Sequence, residues 1–178
     1  MDRIAAFVFA VAIAVAAATA LAGCASAPAA PSSPAARYIV VRHAEKASDD
    51  PRDPMLSAAG LERAQRLAAR LREEPLGAVY VTGYRRTLQT GEPAARGHGL
   101  TPIVYDAKSP AAQFAAQLRR ERPAGATLVV GHSNTAPDIA AALCACAVEP
   151  MPETEYDRRM IVDLDAQGRA TLRIERDR

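Results

Sequence analysis

Three histidines occur in the 178 residues, at positions 43, 98 and 132. Two of them directly follow short runs rich in β-branched residues. Tyr38-Ile39-Val40-Val41-Arg42 precedes His43, and Leu128-Val129-Val130-Gly131 precedes His132. A neutral imidazole offers a nucleophilic nitrogen near pH 7, and its phosphorylated form is labile enough to be hydrolysed. Arg42 stands beside His43, and Arg85-Arg86 opens a further segment. A guanidinium makes bidentate bonds to phosphate oxygens and never deprotonates. Paired imidazoles with arginines therefore suit phosphoryl transfer, where catalysis rests on positioning and on stabilising spread negative charge. His98 lies in Arg96-Gly97-His98-Gly99, without an apolar or acidic frame, and is expected to be a solvated loop residue.

These residues need elements to hold them. Arg37–Arg42 reads as a short buried parallel strand, and Ala78–Thr82, Pro102–Tyr105 and Ala126–Gly131 as three further strands. Helices are expected from Ser57, with Leu61, Ala64, Leu67, Ala68 and Leu71 at helical spacing, and over Arg86–Arg96. Two more are expected from a Ser109-Pro110 cap to about Arg120, and over Thr135–Leu143. Met160–Leu164, a turn at 165–168 and Ala170–Glu175 predict a β-hairpin. Alternating strands and helices predict an α/β domain: a mainly parallel sheet with helices on both faces and a C-terminal β-hairpin. Sites in such sheets lie beyond the carboxyl ends of the strands, where His43 and His132 fall.

Four segments resemble the histidine phosphatase superfamily, the phosphoglycerate mutase-like fold. Val40-Val41-Arg42-His43-Ala44-Glu45 is similar to its Arg-His-Gly-Glu signature, with Ala44 in place of Gly as in the small SixA-like branch. Leu56-Ser57-Ala58-Ala59-Gly60 resembles the family's Leu-Ser-x-x-Gly helix start. Arg86-Thr87-Leu88-Gln89-Thr90 resembles its Arg-x-x-Gln-Thr segment, and Gly131-His132-Ser133-Asn134 its second-histidine motif. The four run in family order from Tyr38 to about Leu143. The resemblance implies a phosphomonoester hydrolase with His43 as nucleophile and a phosphohistidine intermediate. Arg42, Arg86 and His132 would hold the phosphoryl group, and Ser133 and Asn134 would add donors. Arg86 rather than Arg85 has the family's spacing to Gln89-Thr90. Asp106, after the third strand, is the expected proton donor, and Glu45 is nearer to a structural residue. No cofactor and no metal are implied, and the missing insertions imply an open site for a small phosphorylated substrate or a phosphopeptide. The alternative is a phosphate-binding lipoprotein with little or no turnover. A metal site of His43, Glu45 and His132 is a weaker reading, because Arg42 would repel a cation.

The chain begins with Met1-Asp2-Arg3 and an uncharged apolar stretch, Ile4–Ala22, ending in Leu21-Ala22-Gly23-Cys24. A charged start, an apolar middle and small residues at a cut site describe a secretory signal. The stretch is nearly long enough to span a bilayer, but no cationic flank follows it. Leu-Ala-Gly-Cys also resembles the lipobox of bacterial lipoproteins. Residues 1–23 are thus expected to be a signal peptide, Cys24 a lipid anchor, 24–36 an Ala/Pro/Ser-rich tether and 37–178 the phosphatase-like domain. At about 3.1 Å per residue the tether would reach roughly 35 Å. Ala25 after the cysteine implies a cell-envelope site, the outer membrane facing the periplasm.

A net charge of +2 without a clustered basic run gives no support to nucleic-acid binding. Cys144 and Cys146 are expected to be small buried side chains near a helix end, since positions i and i+2 of a helix diverge and oppose a disulfide. Acylation of Cys24 is tested by the mass of the mature N-terminus in the membrane fraction. The expected result is a diacyl- or triacylglyceryl cysteine, and an unmodified soluble chain starting elsewhere contradicts it.

Overall fold

Tyr38, Ile39, Val40 and Val41 are all at most 4% exposed, although successive strand residues point to opposite faces. Both faces of the first strand, β1 (Ala36–Arg42), must therefore be covered. The structure, a computed structural model, describes residues 33–177. The expected signal segment, Cys24 and all but the last residues of the tether lie outside them. β1 starts one residue earlier than the sequence suggests, because Ala36 is buried and paired with both Gly125 and Leu164.

The other strands are β2 (Leu76–Thr82), β3 (Ile103–Tyr105), β4 (Gly125–Gly131), β5 (Arg158–Leu164) and β6 (Ala170–Arg176). They form one sheet in the order β3-β2-β4-β1-β5-β6. The first four are mutually parallel, while β5 and β6 form the expected antiparallel hairpin at the β1 edge. Four helices cover it: α1 (Ala58–Arg70), α2 (Arg85–Gly97), α3 (Ala111–Glu121) and α4 (Ala136–Cys144). Tyr38, Val40, Tyr80, Val129 and Met160 pack with Phe114, Leu118, Ile139 and Leu143 of α3 and α4. The alternate residues Ile39, Val41, Val79, Val81, Leu128 and Val130 pack with Leu67, Leu71, Ala94 and Ala95 around α1 and α2. Both faces of β1, β2 and β4 are thus consumed by aliphatic packing, while the edge strand β3 leaves Ile103 and Val104 exposed, and function is left to the strand ends.

Neighbouring β1 and β4 send their chains to opposite faces of the sheet, β1 toward α1 and β4 toward α4. This divergence opens a crevice beyond their carboxyl ends, the place where doubly covered sheets bind ligands. Two glycines make the crevice walls fit. A Cβ at Gly60 would stand 2.2 Å from the Glu45 carbonyl oxygen, so only glycine lets α1 lie against the loop after His43. A Cβ at Gly131 would stand 2.8 Å from Thr135 Oγ1, the oxygen that accepts the His132 amide. Ser57 caps α1 by accepting the Gly60 amide at 3.2 Å, as its position predicts.

Several local expectations differ from the fold. Leu61 is 48% exposed, because the buried stripe of α1 runs through Gly60, Ala64, Leu67 and Leu71, about 100° away. Ser109 does not cap α3. Pro110 occupies that position, and the Ser109 amide closes a turn on the Asp106 carbonyl. Cys144 and Cys146 form a disulfide, with Cα atoms 5.2 Å apart. The helical i, i+2 argument fails because α4 ends at Cys144 and Ala145 takes a left-handed conformation (φ 51°), which swings Cys146 back. His98 is half-buried rather than solvated. It ends α2 and its Nε2 bonds the Leu71 carbonyl at 3.0 Å, joining the ends of α1 and α2.

Candidate functional site

β1 delivers His43 into the crevice, where its amide donates to the Gly131 carbonyl of β4 at 2.9 Å. The side chain is buried, and Nδ1 lies 2.8 Å from the Ala44 carbonyl. A carbonyl can only accept, so Nδ1 carries the proton and Nε2 keeps its lone pair. The loop itself is fastened from α2. The Ala44 amide donates to Thr90 Oγ1 at 3.0 Å, and the Thr90 hydroxyl donates to the Arg86 carbonyl at 2.7 Å. Gln89 accepts the Leu56 amide at 2.8 Å. Gln89 and Thr90, which in the sequence served only to set the spacing, hold the histidine loop in place.

His132 follows β4, and its ring centroid is 5.4 Å from that of His43 in an edge-on arrangement. Its Nδ1 lies 3.5 Å from Arg86 Nη2 and its Nε2 lies 3.1 Å from Thr82 Oγ1. The guanidinium only donates, so Nε2 is the protonated nitrogen of the neutral ring. The proton chain continues from Thr82 to Thr87 at 2.8 Å and from Thr87 to the Tyr84 carbonyl. Thr82 and Thr87 are both buried, so this relay fixes the ring without competition from water. Sequence reasoning assigned neither of them a role.

Both imidazoles are held neutral. Burial, first, then the charge of Arg42, the nearby His132 and Arg86 push the His43 pKa down from 6.5 to about 3, against the opposing bond to Ala44. Burial, then Arg86 and Arg42, push His132 down to about 4. For both rings desolvation is the larger cause, ahead of the flanking arginines.

Arg86 lies on the crevice side of α2, stacked 4.3 Å from the Tyr84 ring centroid. Its side chain is 15% exposed, and its Nη1 has no hydrogen-bond partner among the described residues. The nearest carboxylate, Asp53, stands 3.8 Å away, too far for a hydrogen bond. Arg85 faces elsewhere, toward the Asp53 carbonyl and Asp49. The pocket, about 360 Å³, is lined by His43, Arg86, His132, Ser133, Asn134 and Thr135, with Lys46, Tyr84, Ala107, Lys108 and Glu153 around them.

Two expected residues are placed differently. The Arg42 guanidinium is buried behind the pocket wall, donating to the carbonyls of Pro152, Glu153 and Glu155 at 2.8–3.0 Å and to the Glu153 carboxylate at 2.7 Å. It also stacks on Tyr156, 4.2 Å from the ring centroid. Its charge reaches His43, but its donors hold the 152–156 segment. Asp106 is exposed and does not line the pocket, because its carboxylate turns onto the Lys108 amide at 2.9 Å. The carboxylate that does line it is Glu153, which accepts from the Ser133 hydroxyl and from Arg42. The Ser133 bond and the Arg42 charge hold Glu153 below the usual carboxylate range. Glu45, in the expected structural role, is bound by Arg63 through three contacts of 2.6–3.0 Å.

Nitrogen-detected titration of the imidazoles tests the electrostatics. His43 and His132 should stay neutral through pH 5 and protonate only near 3 and 4, and a His43 midpoint near 6.5 contradicts this site. The unfolded chain binds more protons than the folded one below 6.5. The stability that these two rings contribute is therefore complete above pH 6.5 and falls as pH drops toward 4 and then 3.

Comparison with known proteins gives the site a context. No curated protein sequence matches the chain. Solved structures share its fold. The protein histidine phosphatase SixA complexed with tungstate is 21% identical, with a TM-score of 0.62, over 79% of this chain and 96% of that one. Bacillus stearothermophilus YhfR is 18% identical, with a TM-score of 0.63, over 81% and 98%. A phosphoserine phosphatase variant of Entamoeba histolytica in complex with phosphoserine is 12% identical, with a TM-score of 0.59, over 77% and 94%. The fold is the phosphoglycerate mutase-like α/β fold. Residues 38–109, which carry Arg42, His43, Arg86 and Asp106, match the family described as histidine phosphatase superfamily (branch 1).

Proposed function

We propose that the chain is a phosphatase of the histidine phosphatase superfamily and that His43 is its nucleophile. The observation that carries this reading is the fixed tautomer of His43. Its Nδ1–H is committed to the Ala44 carbonyl, which leaves the Nε2 lone pair on a ring that lines a pocket with Arg86 and His132. In the first step Nε2 forms a bond to phosphorus, the phosphorus–oxygen bond to the leaving group breaks, and that oxygen takes a proton from water in the exposed mouth of the pocket. In the second, water attacks the phosphohistidine and restores the imidazole. Arg86, the Ser133 amide and the Asn134 donors meet the charge on the phosphoryl oxygens, and His132 orients Arg86 by offering its Nδ1 lone pair to Nη2.

Arg42 contributes through its charge and by anchoring the 152–156 segment. Glu153, rather than Asp106, is the carboxylate positioned to exchange protons at the pocket, and in its ionised form it suits the second step by accepting a proton from water. A binding protein without turnover would not need a neutral, oriented imidazole, so hydrolysis is the preferred reading. A metal site is disfavoured because the Glu45 carboxylate is committed to Arg63 rather than to the two histidines. We also assign the chain to the cell envelope, on the outer membrane facing the periplasm, anchored through acylated Cys24. The Cys144–Cys146 disulfide supports an oxidising compartment.

Kinetics on an aryl phosphate test the site. His43→Ala should abolish turnover. Arg86→Ala should lower kcat/KM by about 10²–10³, the cost of roughly 2–4 kcal/mol for one transition-state donor. Arg85→Ala should have a few-fold effect, since its guanidinium bonds the Asp53 carbonyl outside the pocket lining. Equal losses from the two arginine substitutions would place the phosphoryl group on a different face of α2.

A further inference from the structure

Of the 22 basic residues besides histidine, only two are lysines, Lys46 and Lys108, and both line the pocket. Every ion pair among the described residues uses arginine as its cation. The two lysines come from different loops, Lys46 from the one after β1 and Lys108 from the one after β3, and both are exposed. The one carboxylate in the pocket wall, Glu153, is hydrogen-bonded by Arg42 and Ser133, and Lys46 acts on it through charge alone, without an ion-pair contact. Arg86 and the His43 nucleophile already answer a single phosphoryl group. A second cleft of about 420 Å³ shares Lys46 and Arg86 as walls and adds Arg52 and Asp50, so that three cations face one carboxylate there.

An ammonium is a mobile, hydrated point charge, able to follow an anion whose position varies, whereas arginines such as Arg42 and Arg63 are fixed in multidentate contacts. We propose that Lys46 and Lys108 form a subsite for a second anionic group on the substrate, a carboxylate or a further phosphate. The inference rests on the phosphatase reading and narrows it: the preferred substrates are small phosphomonoesters with at least one additional negative charge. A neutral leaving group would leave both cations to water and gain nothing from them.

Matched ligand pairs decide it. 3-Phosphoglycerate and glycerol 3-phosphate differ in a carboxylate against a hydroxymethyl group, and fructose 1,6-bisphosphate and fructose 6-phosphate in a second phosphate. Calorimetric binding to full-length His43→Ala protein, which cannot turn the ligands over, should favour the more anionic member of at least one pair by roughly tenfold at low salt. The preference should fall to about threefold or less in His43→Ala carrying Lys46→Met and Lys108→Met. The pair that responds identifies the anion as carboxylate or phosphate. Each ratio is taken within one protein, so a reduced active fraction does not affect it. A ratio near one before the lysines are changed, a ratio unmoved by their removal, or no binding of any of the four overturns the subsite. Lysine-dependent binding alongside a wild-type chain that hydrolyses none of the ligands would instead overturn the phosphatase reading and leave the subsite standing.

Discussion

The structure is organised around one constraint: two imidazoles share a crevice with the Arg86 guanidinium, and a second guanidinium, Arg42, is buried behind its wall. Arg42 is 3% exposed and His43 4%, and the Arg42 charge is close enough to bias the His43 ring. Protonating either histidine would add a third positive charge to a site that already holds two, in a setting where Coulomb repulsion is poorly screened. The rings are therefore neutral, and a neutral ring must have its tautomer chosen for it. The Ala44 carbonyl makes that choice for His43, and the Thr82–Thr87 relay makes it for His132.

Each fastening depends on an element whose packing lies elsewhere. Thr90 can reach the Ala44 amide only because α2 lies against β2 and β4, where Gly91 lets Val81 and Val79 approach. The Glu45 backbone can lie under α1 only because position 60 has no side chain. The aliphatic layers on both faces of the sheet set the distance between the His43 and His132 loops. Arg42 plays two parts at once. Its charge is felt at His43, and its guanidinium collects three carbonyls of a segment that has no regular structure of its own. That segment in turn presents Glu153 to the pocket.

Much of this was legible in the sequence. Hydrophobic runs ending in histidine marked β1 and β4, and the resemblance to the Arg-x-x-Gln-Thr segment separated Arg86 from Arg85. What the sequence hid was of two kinds. The 145–157 stretch has no periodicity, so nothing pointed to Glu153 as the carboxylate at the pocket or to the carbonyl cradle around Arg42. Asp106 sat at a fitting place in the chain order, yet its carboxylate serves its own turn through the Lys108 amide. Such short-range competition for a side chain is invisible to spacing. The left-handed Ala145, which permits the disulfide, was hidden for a similar reason: alanine gives no signal of a positive φ. One missed signal was open to a simple count, since a chain with twenty arginines keeps its two lysines for one pocket.

The central claim is covalent, and it is tested by trapping the intermediate. The full chain is mixed with a phosphate-labelled aryl ester, quenched in alkali within the first turnover, digested and mapped. Phosphate on His43 that survives alkali and is lost in acid is the predicted result, with adduct retained in part by His132→Ala and absent from His43→Ala. Label on any other residue, or turnover by chelator-treated His43→Ala protein, would contradict the account.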